Sequence, residues 1–144
     1  MSDRITQIKN WFQLAVPTPT DKNRAVQLGC HFEEVAEMAD ALGEHRPARY
    51  LGHLASLFKT DTFIGKHDDH WLDRKELLDA LCDQIVTAVG VAHMFGMDID
   101  SALAEVTRSN WSKFVDGKPV FDANGKIAKP PTFSPADVAP FTGG

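Results

Sequence analysis

Two short acidic clusters carry the chemistry this chain could do. Glu33-Glu34-x-x-Glu37 and Glu76-x-x-Asp79, with Asp83 one turn further, lie inside otherwise apolar, helix-forming stretches. At about 100° per residue, Glu33, Glu34 and Glu37 fall within roughly a 100° sector of one helix, and Glu76, Asp79 and Asp83 within roughly 60° of another. Turned toward each other, the two faces would form a nest of hard oxygen ligands. That many carboxylates cannot stay ionised side by side without compensating cations. An oxygen-rich, thiolate-poor set suits Mg²⁺ or Mn²⁺.

The elements that must position these acids read as helices throughout. Apolar positions recur at helical spacing from about Asp3 to Val16, where Pro17-Thr18-Pro19-Thr20 makes a turn, and from about Asp21 to Leu42, closed by Gly43. The second of these places Phe32, Val35, Met38, Ala39 and Leu42 on its apolar side. A shorter helix is expected over Pro47–Phe58, with proline in the first turn, and a long one over Leu72–Phe95. Ile99–Phe114 makes a fifth. Within the long helix, Ile85–Met97 carries no Asp, Glu, Lys or Arg and is apolar nearly all round, so it asks for burial in a core or at a subunit interface. That apolar stretch on its own is too short to span a bilayer. Beyond Phe114, the run from Val120 to Ile127 reads as a small hairpin turning at Asn124-Gly125, and the Pro-rich tail from Pro130 to Gly144 as an extended segment that wraps a neighbour. The expectation is one all-α domain over 1–144, a four- to five-helix bundle with a small C-terminal hairpin and tail (116–144), assembled as a homodimer or homotetramer.

Composition narrows the function. The chain has 144 residues, 43% hydrophobic and 24% charged, the balance of an ordinary globular protein. Its net charge of −5 argues against nucleic-acid polymers and anionic membranes as partners, while a small anion held through metal ions remains compatible. Cys30 and Cys82 form no metal-binding motif, and no signal peptide is legible, which points to a reduced, cytoplasmic setting.

The acids also carry a family likeness. Glu33-Glu34-Val35-Ala36-Glu37 followed by Glu76-Leu77-Leu78-Asp79 resembles the paired EExxE and ExxD motifs of the all-α nucleoside triphosphate pyrophosphohydrolases, which include MazG, dimeric dUTPases, dCTP pyrophosphatases and phosphoribosyl-ATP pyrophosphohydrolase. The likeness continues through Asp79-Ala80-Leu81 with Asp83, Glu105 to Phe114 including Ser109-Asn110-Trp111-Ser112-Lys113, Gly117-Lys118 and Gly125-Lys126, where it is similar to the compact MazG-like branch of bacteria and phages. It covers about Asp21 to Pro131. Between the motifs, 38 residues separate Glu37 from Glu76, which is long for the family and leaves the loop with His67 to His70 unexplained.

The resemblance implies hydrolysis between the α and β phosphates of a nucleoside triphosphate, with a deoxynucleotide the expected substrate and dUTP, dCTP and dGTP all open. Two or three Mg²⁺ or Mn²⁺ ions on Glu34, Glu37, Glu76 and Asp79 would neutralise the triphosphate and acidify a water, with Glu33 as candidate base. Lys113, with Arg108 and Lys126, would offset phosphate charge; Asn110 would orient phosphate or sugar, and Asp83 accept a hydrogen bond from sugar or base. The stripe Asn23, Gln27, Cys30, Glu34 and Glu37 lies within roughly 80° of one helix face, so Asn23 and Gln27 could read a base.

Each of these has a plainer competitor. Either acidic face alone could be a solvated helix surface, and Arg108 and Lys113 could complement a helix dipole. Trp11, Phe12 and Trp111 are expected mainly as packing, His67 and His70 with Asp68 and Asp69 as a solvated loop, and His93 as a core or interface residue. Phosphoribosyl-ATP hydrolysis is the alternative within the enzyme reading, and a non-catalytic helical interaction protein the alternative outside it.

Overall fold

Four of the five helices start on a side chain that closes their first turn. Asp3 accepts the Thr6 N–H and hydroxyl (2.8 and 3.0 Å) ahead of α1 (Arg4–Ala15). Thr20 and Asn23 form a reciprocal capping box on α2 (Asp21–Ala41). Asp73 caps α4 (Arg74–Met94) and Asp98 caps α5 (Ile99–Trp111), each through backbone N–H groups of the first turn. α3 (His45–Lys59) has no side-chain cap but carries Pro47 in its first turn.

A computed structural model describes residues 3–60 and 72–144. They form five α-helices and a two-stranded hairpin, so the chain is all-α. The loop with His67, Asp68, Asp69 and His70 lies outside the described residues. The chain gathers into two compact units, one from the described residues of Met1–Ala15, Asp68–Val120 and Ile127–Gly144, the other from those of Val16–His67 and Phe121–Lys126.

In the second unit α2 packs along α3. Its core is made of small side chains: Ala25, Val26, Gly29, Ala36 and Ala39 on α2, and Ala55 on α3. This corrects the expected apolar side of α2. Ala39 is buried and Phe32 stacks on Phe58 (ring centroids 5.1 Å), but Met38 and Leu42 are 49% and 55% exposed. The line of small residues lets the two backbones approach closely, and Gly29 is the tight point. A Cβ there would stand 2.7 Å from the Ala55 carbonyl oxygen and collide with Lys59 Cγ. Residues 121–126 belong to this unit and form a turn, with the Asp122 N–H on the Lys126 carbonyl (2.8 Å) and Gly125 at φ 78°.

In the first unit α1 lies on α5. The Trp11 indole N–H donates to the Asn110 carbonyl (2.9 Å), and Trp11 stacks on Phe114 (5.5 Å) and meets Phe12 edge-on (5.0 Å). Trp111 meets the same Phe114 edge-on (5.3 Å), so the three aromatics expected mainly as packing share one cluster. α5 stops at Trp111, three residues before the expected Phe114, because Phe114 opens the hairpin. There β1 (Phe114–Val115) pairs antiparallel with β2 (Lys118–Pro119) across Asp116-Gly117, both with positive φ (50° and 72°), as a type I′ turn demands. The regular strand pair therefore turns at Asp-Gly, and the expected turn at Asn124-Gly125 is present as well, closed by a single bridge between Phe121 and Ile127 and by the Ala128 N–H on the Val120 carbonyl (2.7 Å). The tail is extended and runs along its own α5: Ser134 N–H donates to Ser112 Oγ (2.8 Å), Asp137 N–H to Glu105 (3.0 Å), and Phe141 receives the Asp98 N–H (2.9 Å).

α4 departs most from expectation. Ala92 is its one buried residue, and Leu78, Val86 and Met94 are 64%, 66% and 83% exposed. Among the described residues Ile85–Met97 does not take the central core position expected of it: a helix apolar nearly all round packs on α5 and leaves large aliphatic side chains exposed. His93, expected in the core or at an interface, is not in the core of this chain but exposed on α4. Among the described residues, α4 is the one helix long and apolar enough to cross a membrane by length and composition. It carries Asp79 and Asp83 inside the apolar run, and carboxylates are costly within a bilayer.

Candidate active site

On α2 the three glutamates have separate fates. Glu33 accepts ion pairs from Lys59 (2.5 Å) and Lys126 (3.1 Å), both on its Oε2. The Lys59 ammonium first, and Lys126 after it, hold the Glu33 carboxyl below its ordinary range against a smaller opposing effect of burial. Glu33 in turn raises the Lys126 pKa. Glu34 and Glu37 are exposed and form no hydrogen bond or ion pair among the described residues. Lys126, one of the expected phosphate residues, is thereby brought to the acidic motif by the turn 121–126.

On α4, Glu76, Asp79 and Asp83 are likewise exposed, and their carboxylates form no hydrogen bond or ion pair among the described residues. Glu76 sits in the first turn, where its negative charge favours the helix N-terminus. Among the described residues no three His, Cys, Asp or Glu side chains stand close enough to hold a metal ion. The donors nevertheless fit a hard divalent cation in kind: Glu34, Glu37, Glu76 and Asp79 are all carboxylates, and none makes a hydrogen bond or ion pair among the described residues.

The remaining expected contacts divide. Arg108 is engaged by its own unit: Nε and Nη2 make a bidentate fork on Glu105 (2.7 Å each), Nη1 donates to Ser134 (3.1 Å) and Nη2 to the Pro135 carbonyl (3.0 Å). Four of a guanidinium's five N–H groups are thus taken, so Arg108 fastens the tail where sequence reasoning expected a phosphate contact. Glu105 feels the same fork and the Asp137 N–H, which hold its pKa at about 2. Asn23 has its side-chain oxygen committed to the Thr20 N–H and hydroxyl (2.9 and 2.8 Å), an N-terminal cap rather than a base reader. Gln27 is exposed, and Asn110 offers its carbonyl to Trp11. Lys113 stands 5.9 Å from the Phe133 ring centroid.

Lys59 is the residue sequence reasoning missed. At the C-terminal end of an amphipathic helix it reads as a dipole complement, and its partner Glu33 lies 26 residues away, beyond the reach of local spacing.

Residues 13–110 match the family described as phosphoribosyl-ATP pyrophosphohydrolase. The chain belongs to that family. The phosphoribosyl-ATP pyrophosphohydrolase family lies within the MazG-like all-α superfamily, as the acidic motifs imply, and its members act on a nucleotide phosphoanhydride bond, so the chain is an enzyme. The match takes in both acidic clusters and ends at Asn110, leaving Lys113 and Lys126 beyond it. Neither the curated proteins nor the solved structures contain a match to the chain.

Proposed function

We propose that this pyrophosphohydrolase cleaves the α–β phosphoanhydride bond of a nucleoside triphosphate, a deoxynucleotide first among the candidates, releasing the monophosphate and pyrophosphate. The family match across both acidic clusters carries the reading. Glu34, Glu37, Glu76 and Asp79 would hold two or three Mg²⁺ or Mn²⁺ ions. Such ions supply charge neutralisation and an acidified water when bound. Glu33 suits a base poorly, since a carboxylate holding two ammonium groups takes up a proton reluctantly. A second reading, phosphoribosyl-ATP as substrate, is favoured by the matched family itself and keeps the same triphosphate chemistry. A homodimer or homotetramer that covers α4 is part of the proposal, supported by the exposed Leu78, Val86 and Met94.

The test is pyrophosphate release from canonical and modified nucleoside triphosphates and from phosphoribosyl-ATP, with magnesium, manganese or EDTA. Metal-dependent release with a preferred deoxynucleotide is the expected result. Release from phosphoribosyl-ATP alone selects the second reading, and no release from any of them defeats both.

A further inference from the structure

Two ammonium groups share one carboxylate at Glu33. Lys59 and Lys126 both bind its Oε2, and the neighbouring Glu34 acts on Lys126 through charge alone. A stitch between helices would need a single lysine. The two ammonium groups arrive from different elements, Lys59 from the last residue of α3 and Lys126 from the turn 121–126, and converge on α2. Gly29 makes the convergence possible, because the Lys59 stem crosses α2 where any larger residue would block it. The Lys126 side chain remains 50% exposed, so its ammonium is open to a ligand. Glu37 follows Glu33 by four residues, about 6 Å along the axis, on nearly the same face, and its carboxylate makes no hydrogen bond or ion pair among the described residues. An anion lying along this turn would meet any cation at Glu37 with one end and the ammonium pair with the other. That span suits two bridged phosphates.

We infer that Lys59 and Lys126, held together by Glu33, form the binding site for the terminal phosphates of the substrate, the group that leaves as pyrophosphate. The identity of the anion rests on the proposed hydrolase reading. In that reaction the water oxygen bonds to the α-phosphorus, the α–β bridging oxygen departs with its electron pair on pyrophosphate, and the water proton passes to solvent. The two ammonium groups meet the charge that builds on the departing pyrophosphate. Glu33 is a positioning residue for the lysines.

Titration calorimetry with inorganic pyrophosphate, in magnesium and in EDTA, tests the site without turnover. Wild-type chain is expected to bind in magnesium, Lys59→Gln and Lys126→Gln each to weaken binding about tenfold or more, and Lys118→Gln, on β2, to leave it unchanged. Lys126→Arg is expected to restore most of the affinity, which a merely structural lysine would not require, and the exposed Lys126 decides the matter if Lys59→Gln melts early. No pyrophosphate binding by the wild type, or equal binding by both glutamine variants, overturns the site. Lysine-dependent binding by a chain that hydrolyses no nucleotide keeps the site and removes the hydrolase reading. Hydrolysis with KM unchanged in both glutamine variants keeps the hydrolase and overturns the site.

Discussion

α2 and α4 have the same length, 21 residues, and each carries one acidic motif, yet their apolar sides meet opposite circumstances. α2 buries a line of small residues against α3, and its first glutamate is already committed to two lysines. α4 displays large aliphatic side chains, and its motif carboxylates make no hydrogen bond or ion pair among the described residues. The contrast separates two ways of placing a functional acid. On α2 the chain fixes the side chain's surroundings by itself; on α4 the helix still wants a cover.

Breaking the motif on either helix should have the largest effect. Glu37→Gln and Asp79→Asn are each expected to lower metal-dependent pyrophosphate release at least about a thousandfold with the helical circular dichroism unchanged. Asp79→Asn should also raise the melting temperature measured without metal and abolish metal-induced stabilisation, since crowded carboxylates repel one another until a cation joins them. Activity retained in Glu37→Gln would remove α2 from the metal site and leave the comparison without its shared function.

Packing changes should then tell the helices apart. Gly29→Ala is expected to cost about 2 kcal/mol, several degrees in Tm, because the added methyl meets the Ala55 carbonyl, which cannot move aside cheaply. That loss should be the same at every protein concentration. Val86→Asp on exposed α4 should instead act through assembly, turning a dimer or tetramer in sedimentation into monomer while the monomer's own helices persist. A Val86→Asp chain that sediments like the wild type would show that no second copy covers this face.

The smallest effect belongs to the tail of the first unit. Glu105 has a folded pKa of about 2 against an ordinary 4.5, a depressed value, so its contribution is complete above pH 4.5 and fades as pH falls toward 2. Between those limits the wild type should lose more melting temperature than Glu105→Gln, in which the titrating group is gone. Parallel pH profiles would mean that the Arg108 fork adds nothing measurable.

Much of this architecture is legible along the chain because its signals are local. The turn at Pro17-Thr18-Pro19-Thr20 and the glycine after Leu42 mark helix ends within a few residues of where they fall. The acidic motifs announce themselves by helical spacing alone. What escapes is non-local or shared between competing signals. The hairpin at Asn124-Gly125 is legible, whereas the strand pair across Asp116-Gly117 is hidden because Phe114, which joins the Trp11 cluster, reads as the end of a helix. Lys59 at Glu33, Arg108 on the tail and the small-residue seam through Gly29 are set by neighbours that spacing cannot supply. The exposure of α4 is the same lesson in reverse, because hydrophobicity states a demand for cover without naming what meets it.

The distances in sequence between partners also set an order of events as the chain emerges from the ribosome. α2 and α3 adjoin in the chain and can zip together as soon as Lys59 is out, whereas the Trp11 indole must wait for Asn110, 99 residues later, and the start of α5 for Phe141. Pulse-labelled hydrogen exchange should find α2 amides protected before the indole N–H. Throughout that interval α1 is a helix without a dock, and its aromatic side chains are what a holding chaperone would find first.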